Sequence, residues 1–200
     1  MIVRTAELDI KENYKLLISS VVPRPIAFVS TLSADGILNL APFSFFTAIT
    51  ARPPTIGFVS SRKGGETAKK DTLHNIESGG EFVVNIVTEY IAEQMHQTGA
   101  DYAPEIDEFA LSGLSPVPSL LVKPPRVSES PINLECKLYR TVEIGDGEPG
   151  SGTLIIGEII IYHVDDRLLV NGRIDSTLLK PVGKLAGSEY STLGLRFTMG

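Results

Sequence analysis

From Ile26 to Phe46 the chain reads IAFVSTLSADGILNLAPFSFF, two apolar, β-favouring runs folded about Asp35-Gly36, a dipeptide suited to a tight hairpin turn. A second pair, INLECKLYRTVEI and TLIIGEIIIYHV, flanks the glycine-rich GDGEPGSG and reads as two long strands joined by a turn. Strands joined this tightly run antiparallel, because a parallel pair needs a crossover of a dozen or more residues. TIGFVSS (55–61) and EFVVNIV (81–87) are short β-branched and aromatic runs bounded by Pro, Gly and charged residues, and they also read as strands. RLLV (167–170) adds a last one. Six or more strands without regular βαβ alternation predict a mainly β fold, an antiparallel barrel with two or three short helices.

Two stretches carry helical spacing. In DTLHNIESGG, Leu73 and Ile76 lie one turn apart, with Asp71 or Thr72 as N-cap and Gly79 to end a helix that begins at Asp71. TEYIAEQMHQTGA repeats the device, with Thr88 as cap, Ile91 and Met95 four apart, and Gly99 closing it. Residues 100–131 hold six of the thirteen prolines and little periodicity, so they predict a long surface excursion around the core.

The 200 residues, 42% hydrophobic and 21% charged, are enough for one globular domain spanning 1–200 with a sizeable interior. A net charge of −6 gives no general attraction for nucleic acid or anionic membrane, so any anion site must be local. Cys136 is the single cysteine, which excludes an internal disulfide and a multi-cysteine metal site. The N-terminus has no apolar export core, and no run of about 18 apolar residues occurs. Together these point to a soluble protein in a reduced, cytoplasmic setting.

Several motifs take bland readings. GDGEPG matches G-x-G-x-x-G, but a strand follows it where a dinucleotide fingerprint needs a helix. His74, His96 and His163 are far apart and show no metal-ligand spacing. No G-x-S-x-G elbow is present. Cys136 alternates with Leu134 and Leu138 on one strand face, as a small core residue does.

One stretch resists a bland reading. SSRKGGETAKKDT (60–72) gathers an arginine and three lysines, with the Gly64-Gly65 pair, between a strand end and a helix start. A helix N-terminus offers unpaired N–H groups and partial positive charge, so cations and hydroxyls beside it form a receptor for a phosphate dianion. A solvated turn before a capped helix is the alternative.

RPIAFVST (24–31), NLAPFSFF (39–46), PPTIGFVSSR (53–62) and KKDTLHNIESGGEFVVNI (69–86), in that order, resemble the flavin reductase-like, FMN-binding split-barrel family. RLLVNGRID and PVGKLAGSEY extend the resemblance over most of the chain, although Lys184 and Ala186 stand where arginine and a paired glycine are more usual. No role is carried to that last segment.

The resemblance implies a split β-barrel homodimer that holds flavin, FMN with FAD as the alternative, near the subunit interface. It implies hydride transfer from NAD(P)H to flavin and delivery of reduced flavin to a partner oxygenase. By residue, it places Ser30 and Thr31 beside the ring or ribityl chain, and Pro42 and Ser44 at the ring edge. Ser61 and Arg62 would meet the phosphate from one side, Lys70 and Thr72 from the other. A flavin pocket needs flat apolar walls, hydrogen-bond donors for the polar edge and a cationic end, and residues 24–72 supply all three. Phe43, Phe45 and Phe46 read as core residues, not ring-stacking groups. A non-catalytic flavin carrier or sensor of the same fold stays open as an alternative. So does a flavin-free, OB-like barrel binding nucleic acid or another anion through the loop, against which the acidic balance and the lack of aromatics among the Lys and Arg count.

Overall fold

The computed structural model describes residues 2–62 and 69–199. In chain order its strands are β1 (Ala27–Leu32), β2 (Leu38–Phe43), β3 (Phe46–Ala51), β4 (Pro54–Ser61), β5 (Glu81–Ile86), β6 (Pro116–Val117), β7 (Arg126–Val127), β8 (Ile132–Ile144) and β9 (Gly152–Val164). Four short ones follow: β10 (Leu169–Val170), β11 (Arg173–Ile174), β12 (Gly183–Lys184) and β13 (Tyr190–Ser191). The α-helices are α1 (Ile10–Ser20), α2 (Asp71–Gly79), α3 (Ala92–Gln97), α4 (Glu108–Ser112) and α5 (Ser176–Leu179).

Seven strands form one sheet in the order β2-β1-β5-β8-β9-β4-β3, with every neighbouring pair antiparallel. Its two edges, β2 and β3, are consecutive in the chain and joined only by Ser44 and Phe45. Laid flat, six strand spacings would hold those edges roughly 29 Å apart. Three Cα steps from Phe43 to Phe46 reach about 11 Å at most. The sheet must therefore curl until its edges meet, and the result is a mainly β, antiparallel barrel.

The hairpin expected at Asp35-Gly36 is present: Leu32 pairs with Leu38, and Gly36 takes the positive φ of 84° that the turn requires. Gly145, Gly147 and Gly150 of GDGEPG all have positive φ in the turn between β8 and β9, a hairpin loop and not a nucleotide fingerprint. RLLV does not join the main sheet; its last two residues form the β10–β11 ribbon.

Inside the barrel lie Ala27, Val29, Phe43, Ile56, Phe58, Phe82, Val84, Leu134, Cys136 and Ile155, with Leu73 and Ile76 of α2 among them. The rings of Phe43, Phe58 and Phe82 pack in series, with centroids 4.9 and 5.7 Å apart. Phe82 lies so close over Gly157 that a Cβ there would come within 2.3 Å of its ring. Burial pushes the Cys136 thiol pKa far up, as suits a core residue. A second apolar layer, with Phe28, Leu40, Ile91, Met95, Phe109 and Leu114, covers the outer face of β1 and β2. Alternation along β1 thus buries both of its faces.

The excursion 100–131 is more ordered than the sequence suggests. It contains α4, with Asp107 capping Phe109 and Ala110, and the β6–β7 ribbon. Its tip is held by Glu135, a fully buried carboxylate on β8. The Leu120 and Leu121 amides each donate to one of its oxygens at 2.7 Å, and His163 Nε2 lies 2.7 Å from Oε1. Burial alone would raise the Glu135 pKa, but the two amides and His163 outweigh it and hold it below the ordinary 4.5.

A carboxylate with a depressed folded pKa stabilises the fold above its unfolded pKa and loses that contribution as pH falls through the folded value. Glu135→Gln is therefore expected to cost about 2 kcal/mol at neutral pH, the size of a lost charge-assisted hydrogen bond. In urea titrations the gap from wild type should close as pH drops below 4.5. A gap independent of pH would show that the charge contributes nothing.

Candidate functional site

The expected site residues fall into three groups. The first surrounds the start of α2. Its N-cap is Lys70, not Asp71 or Thr72, and the Lys70 side chain makes no capping hydrogen bond; the left-handed residue that ends it is Gly80, one past the expected Gly79. Lysine cannot accept a hydrogen bond, so the first-turn amides receive nothing from the residue that normally satisfies them. A cation there also opposes the helix dipole. Lys70 Nζ stands 3.7 Å from Asp101 Oδ1, and Lys69 Nζ reaches both Glu77 oxygens at 2.8 Å.

Behind this turn lies a buried polar network. Thr31 and Thr72, 0% and 2% exposed, both donate through their hydroxyls to Asn39 Oδ1, at 3.1 and 2.7 Å. Asn75 Nδ2 donates to Thr31 Oγ1 at 3.0 Å. Asn39 Nδ2 and the Leu40 amide donate to the two oxygens of Glu108, each at 3.0 Å. Burial pushes the Glu108 pKa up and the charge of Asp71 adds to that, while the hydrogen bonds from Leu40 and Asn39 pull it back. The hydroxyl of Thr72 is thus committed inward, and what the residue turns toward the helix end is its backbone N–H.

The second group is Ser61 and Arg62 at the end of β4. Ser61 pairs with Gly152, the Arg62 amide donates to Ser151 O at 2.9 Å, and its guanidinium is 4.0 Å from Glu143 Oε2. The chain from here to α2, residues 63–68 with Lys63 and the expected turn at Gly64-Gly65, lies outside the described residues.

The third group sits at the far end of β2. Pro42 is half-buried, and Ser44 Oγ accepts from Arg24 Nε at 3.4 Å. Arg24 is 4% exposed and its guanidinium donates to Ile18 O, Val21 O and Leu185 O at 2.6, 2.7 and 2.8 Å. The β12–β13 ribbon packs here, through paired backbone bonds between Arg24 and Lys184. Lys184 Nζ lies 3.9 Å over the Tyr190 ring, and Tyr190 Oη is 3.0 Å from His96 Nδ1. Desolvation and the Arg24 charge lower the Lys184 pKa. Segment GKLAGSEY, given no role from sequence, therefore closes over Arg24.

Ser30 stands apart from all three. It is fully buried on the outer face of β1, donates to Pro125 O and accepts from Asn85 Nδ2 at 3.2 Å.

The structure thus unites Thr31, Lys70 and Thr72 at one helix start. It adds Asn39, Asn75, Glu108 and Arg24, which sequence reasoning did not assign. Asn39 and Arg24 lay within stretches singled out by the resemblance, but Glu108 sits 69 residues from Asn39 and left no local signal.

A sequence profile for the flavin reductase like domain matches residues 19–177. The uncharacterised protein BH2278 of Halalkalibacterium halodurans is 45% identical over 194 residues, covering 96% of this chain and 92% of its own. The crystal structure of nitrilotriacetate monooxygenase component B from Bacillus cereus superposes with a TM-score of 0.94 at 38% identity, over 100% of this chain and 98% of that one. That of Pseudomonas fluorescens 2-nitrobenzoate 2-nitroreductase NbaA does so with a TM-score of 0.88 at 32% identity, over 100% and 96%.

Arg24→Lys puts one ammonium, on a shorter side chain, in place of the planar fork whose two terminal nitrogens meet three carbonyls lying in different directions. It is expected to lower stability by about 2 kcal/mol in urea denaturation, and an unchanged midpoint would remove Arg24 from the forces that fix α1 and GKLAGSEY on the barrel.

Proposed function

The chain belongs to the flavin reductase like domain family, and from that premise we propose that it is an FMN-dependent oxidoreductase that takes hydride from NAD(P)H and passes reducing equivalents to a diffusing flavin or a partner oxygenase. The observation that carries this reading is the start of α2, where the N-cap is a lysine, whose side chain supplies no capping oxygen, beside Thr72 and the cationic run. An amide-rich helix end with cations around it is unfavourable alone and complementary to a phosphate dianion. FMN carries such a group at the end of its ribityl tail.

In this proposal Ser61, Arg62, Lys70 and the first-turn amides, Thr72 included, hold the phosphate. Pro42 and Ser44 line the ring edge, and Arg24 behind Ser44 adds fixed positive charge where reduction of the ring places negative charge. Ser30 and Thr31 act from behind, Ser30 fixing Pro125 and Thr31, which accepts from Asn75, tying β1 to α2. When bound, FMN supplies the two-electron acceptor, and direct hydride transfer asks for no side-chain acid or base. The name of the Bacillus cereus protein, a monooxygenase component, favours an oxygenase as the recipient.

We also propose a homodimer. Ile10, Tyr14 and Leu17 along α1 and Val21 at its C-cap recur at helical spacing and stand 59, 53, 50 and 55% exposed, while Ile18 is the one buried residue of that helix. Tyr139, Val142 and Ile144 add exposed apolar surface on β8. Such a stripe on a soluble barrel marks an interface.

Purified protein reconstituted with FMN should be yellow and oxidise NADH or NADPH, faster with added free flavin. Replacing Arg62 and Lys70 together by alanine should weaken FMN about 100-fold while riboflavin, which lacks the phosphate, changes little, because two charge-assisted contacts are lost. Failure of the wild-type chain to bind FMN ends the assignment. Leu17→Lys should shift the protein from dimer to monomer in sedimentation; a monomeric wild type would refute the dimer.

A further inference from the structure

We propose that Glu108 is a positioning residue for the cofactor phosphate, setting through Asn39 the direction of the side-chain hydrogen bonds by which Thr72 and Asn75 tie the first turn of α2 to the barrel. This inference rests on the phosphate reading of that turn and adds a residue from the distant excursion to it.

The argument is one of donors and acceptors. Both Glu108 oxygens face N–H donors, the Leu40 amide and Asn39 Nδ2, each at 3.0 Å, so the group is placed to accept on both sides. A carboxylate can only accept, which forces the amino end of the Asn39 amide toward it and leaves Oδ1 facing the other way. That oxygen meets two hydroxyls, Thr31 at 3.1 Å and Thr72 at 2.7 Å, and both must donate to it. Thr31 has then given its one proton, so it accepts from Asn75 Nδ2. The polarity of five linked groups follows from one buried charge.

The consequence lies on the far side of the turn. Thr72 and Asn75 belong to α2, Thr31 to β1, Asn39 to β2 and Glu108 to α4. With Thr72 drawn inward by its hydroxyl, its backbone N–H is fixed outward with those of its neighbours. Preset donors spare an anion the ordering cost of binding. A disordered or reversed network would let the turn rotate, even though none of these side chains touches the phosphate.

A polarity argument has a specific test. In Glu108→Gln the new side chain offers one acceptor and one NH2 to two donors, so one donor faces another. In Asn39→Asp two carboxylates meet at hydrogen-bond distance. The double variant E108Q/N39D restores every bond with the charge moved across: the introduced aspartate accepts from Thr31 and Thr72 on one oxygen and from the glutamine NH2 on the other, and the glutamine oxygen accepts from Leu40.

Affinities for FMN and for riboflavin would be measured by fluorescence titration on all four proteins. Each single variant should weaken FMN about tenfold, the size of one charge-assisted hydrogen bond, with riboflavin changed less than about threefold. The double variant should return to within about threefold of wild type. Equal losses for both flavins, an unchanged FMN affinity in E108Q, or single losses that simply add in the double would each overturn the proposal. Amide exchange of residues 71–75 in the flavin-free chain reads the same network without ligand: faster in each single variant, restored in the double. If the wild type binds no flavin, the functional reading fails while the exchange data still decide the network. If a single variant does not fold, recovery of the fold in the double supports the inference and its absence rejects it.

Discussion

Two residues, Ser44 and Phe45, decide the shape of this molecule. They are all that separates the two edge strands of a seven-stranded sheet, and no flat or gently twisted arrangement lets them span it. Closure then creates an interior that the Phe43, Phe58 and Phe82 rings fill and that α2 enters from one end with Leu73 and Ile76. It also brings the ends of β1 and β2 against the start of α2, where the candidate anion corner forms. The Phe45 carbonyl accepts from the Val59 amide at 2.9 Å, so the link itself is tied to β4.

On that frame, three buried charges act as staples, Arg24 and Glu135 met chiefly by backbone dipoles and Glu108 by one backbone and one side-chain donor. Arg24 takes three carbonyls, Glu135 takes two amides, and Glu108 takes one amide and a side-chain NH2. A buried charge that lost these partners would be strongly destabilising, so each partner segment is held in a narrow range of positions. The segments held are the end of α1 and the GKLAGSEY segment by Arg24, the loop carrying Leu120 and Leu121 by Glu135, and β2 at Leu40 by Glu108. This is how the proline-rich excursion 100–131 becomes a fixed part of the wall.

What was legible in the sequence was local. Asp35-Gly36 and GDGEPGSG specify turns by backbone conformation, and the strands beside them follow from alternation. The helix at Asp71 was legible for the same reason. α1 was missed because its apolar stripe faces outward among scattered charges, although the capping box of Asp9 and Glu12 was there to be read. The strand β3 was missed because its residues are exposed and polar alternation is weak along TAITA. Residues of the polar network could not be found locally: Ser30 and Pro125 are 95 positions apart, Asn39 and Glu108 69. Only closure of the barrel makes them neighbours. The N-cap at α2 was misplaced because Asp71 and Thr72 are good caps in isolation, and tertiary demand on Thr72 overrode that preference.

That override bears on why the corner exists. Before α1, α4 and α5 the chain places an ordinary acceptor, Asp9, Asp107 and Asp175, each accepting from amides of the first turn, whereas the six-residue α3 has Ile91 at its N-cap, which like Lys70 offers no side-chain cap. Before α2 it had the same resource one residue away in Asp71, yet Lys70 occupies the cap and Thr72 spends its hydroxyl on Asn39. Leaving a helix end uncapped costs about 1 kcal/mol, and setting a cation against the dipole adds to that. In a chain of net charge −6, repulsion among cations elsewhere cannot have pushed them there. An arrangement that is locally unfavourable, and that a neighbouring residue could relieve, makes sense where an external anion completes it. In the proposed phosphate corner, the same placement keeps the flexible Thr72 hydroxyl turned inward and leaves backbone donors to meet the anion.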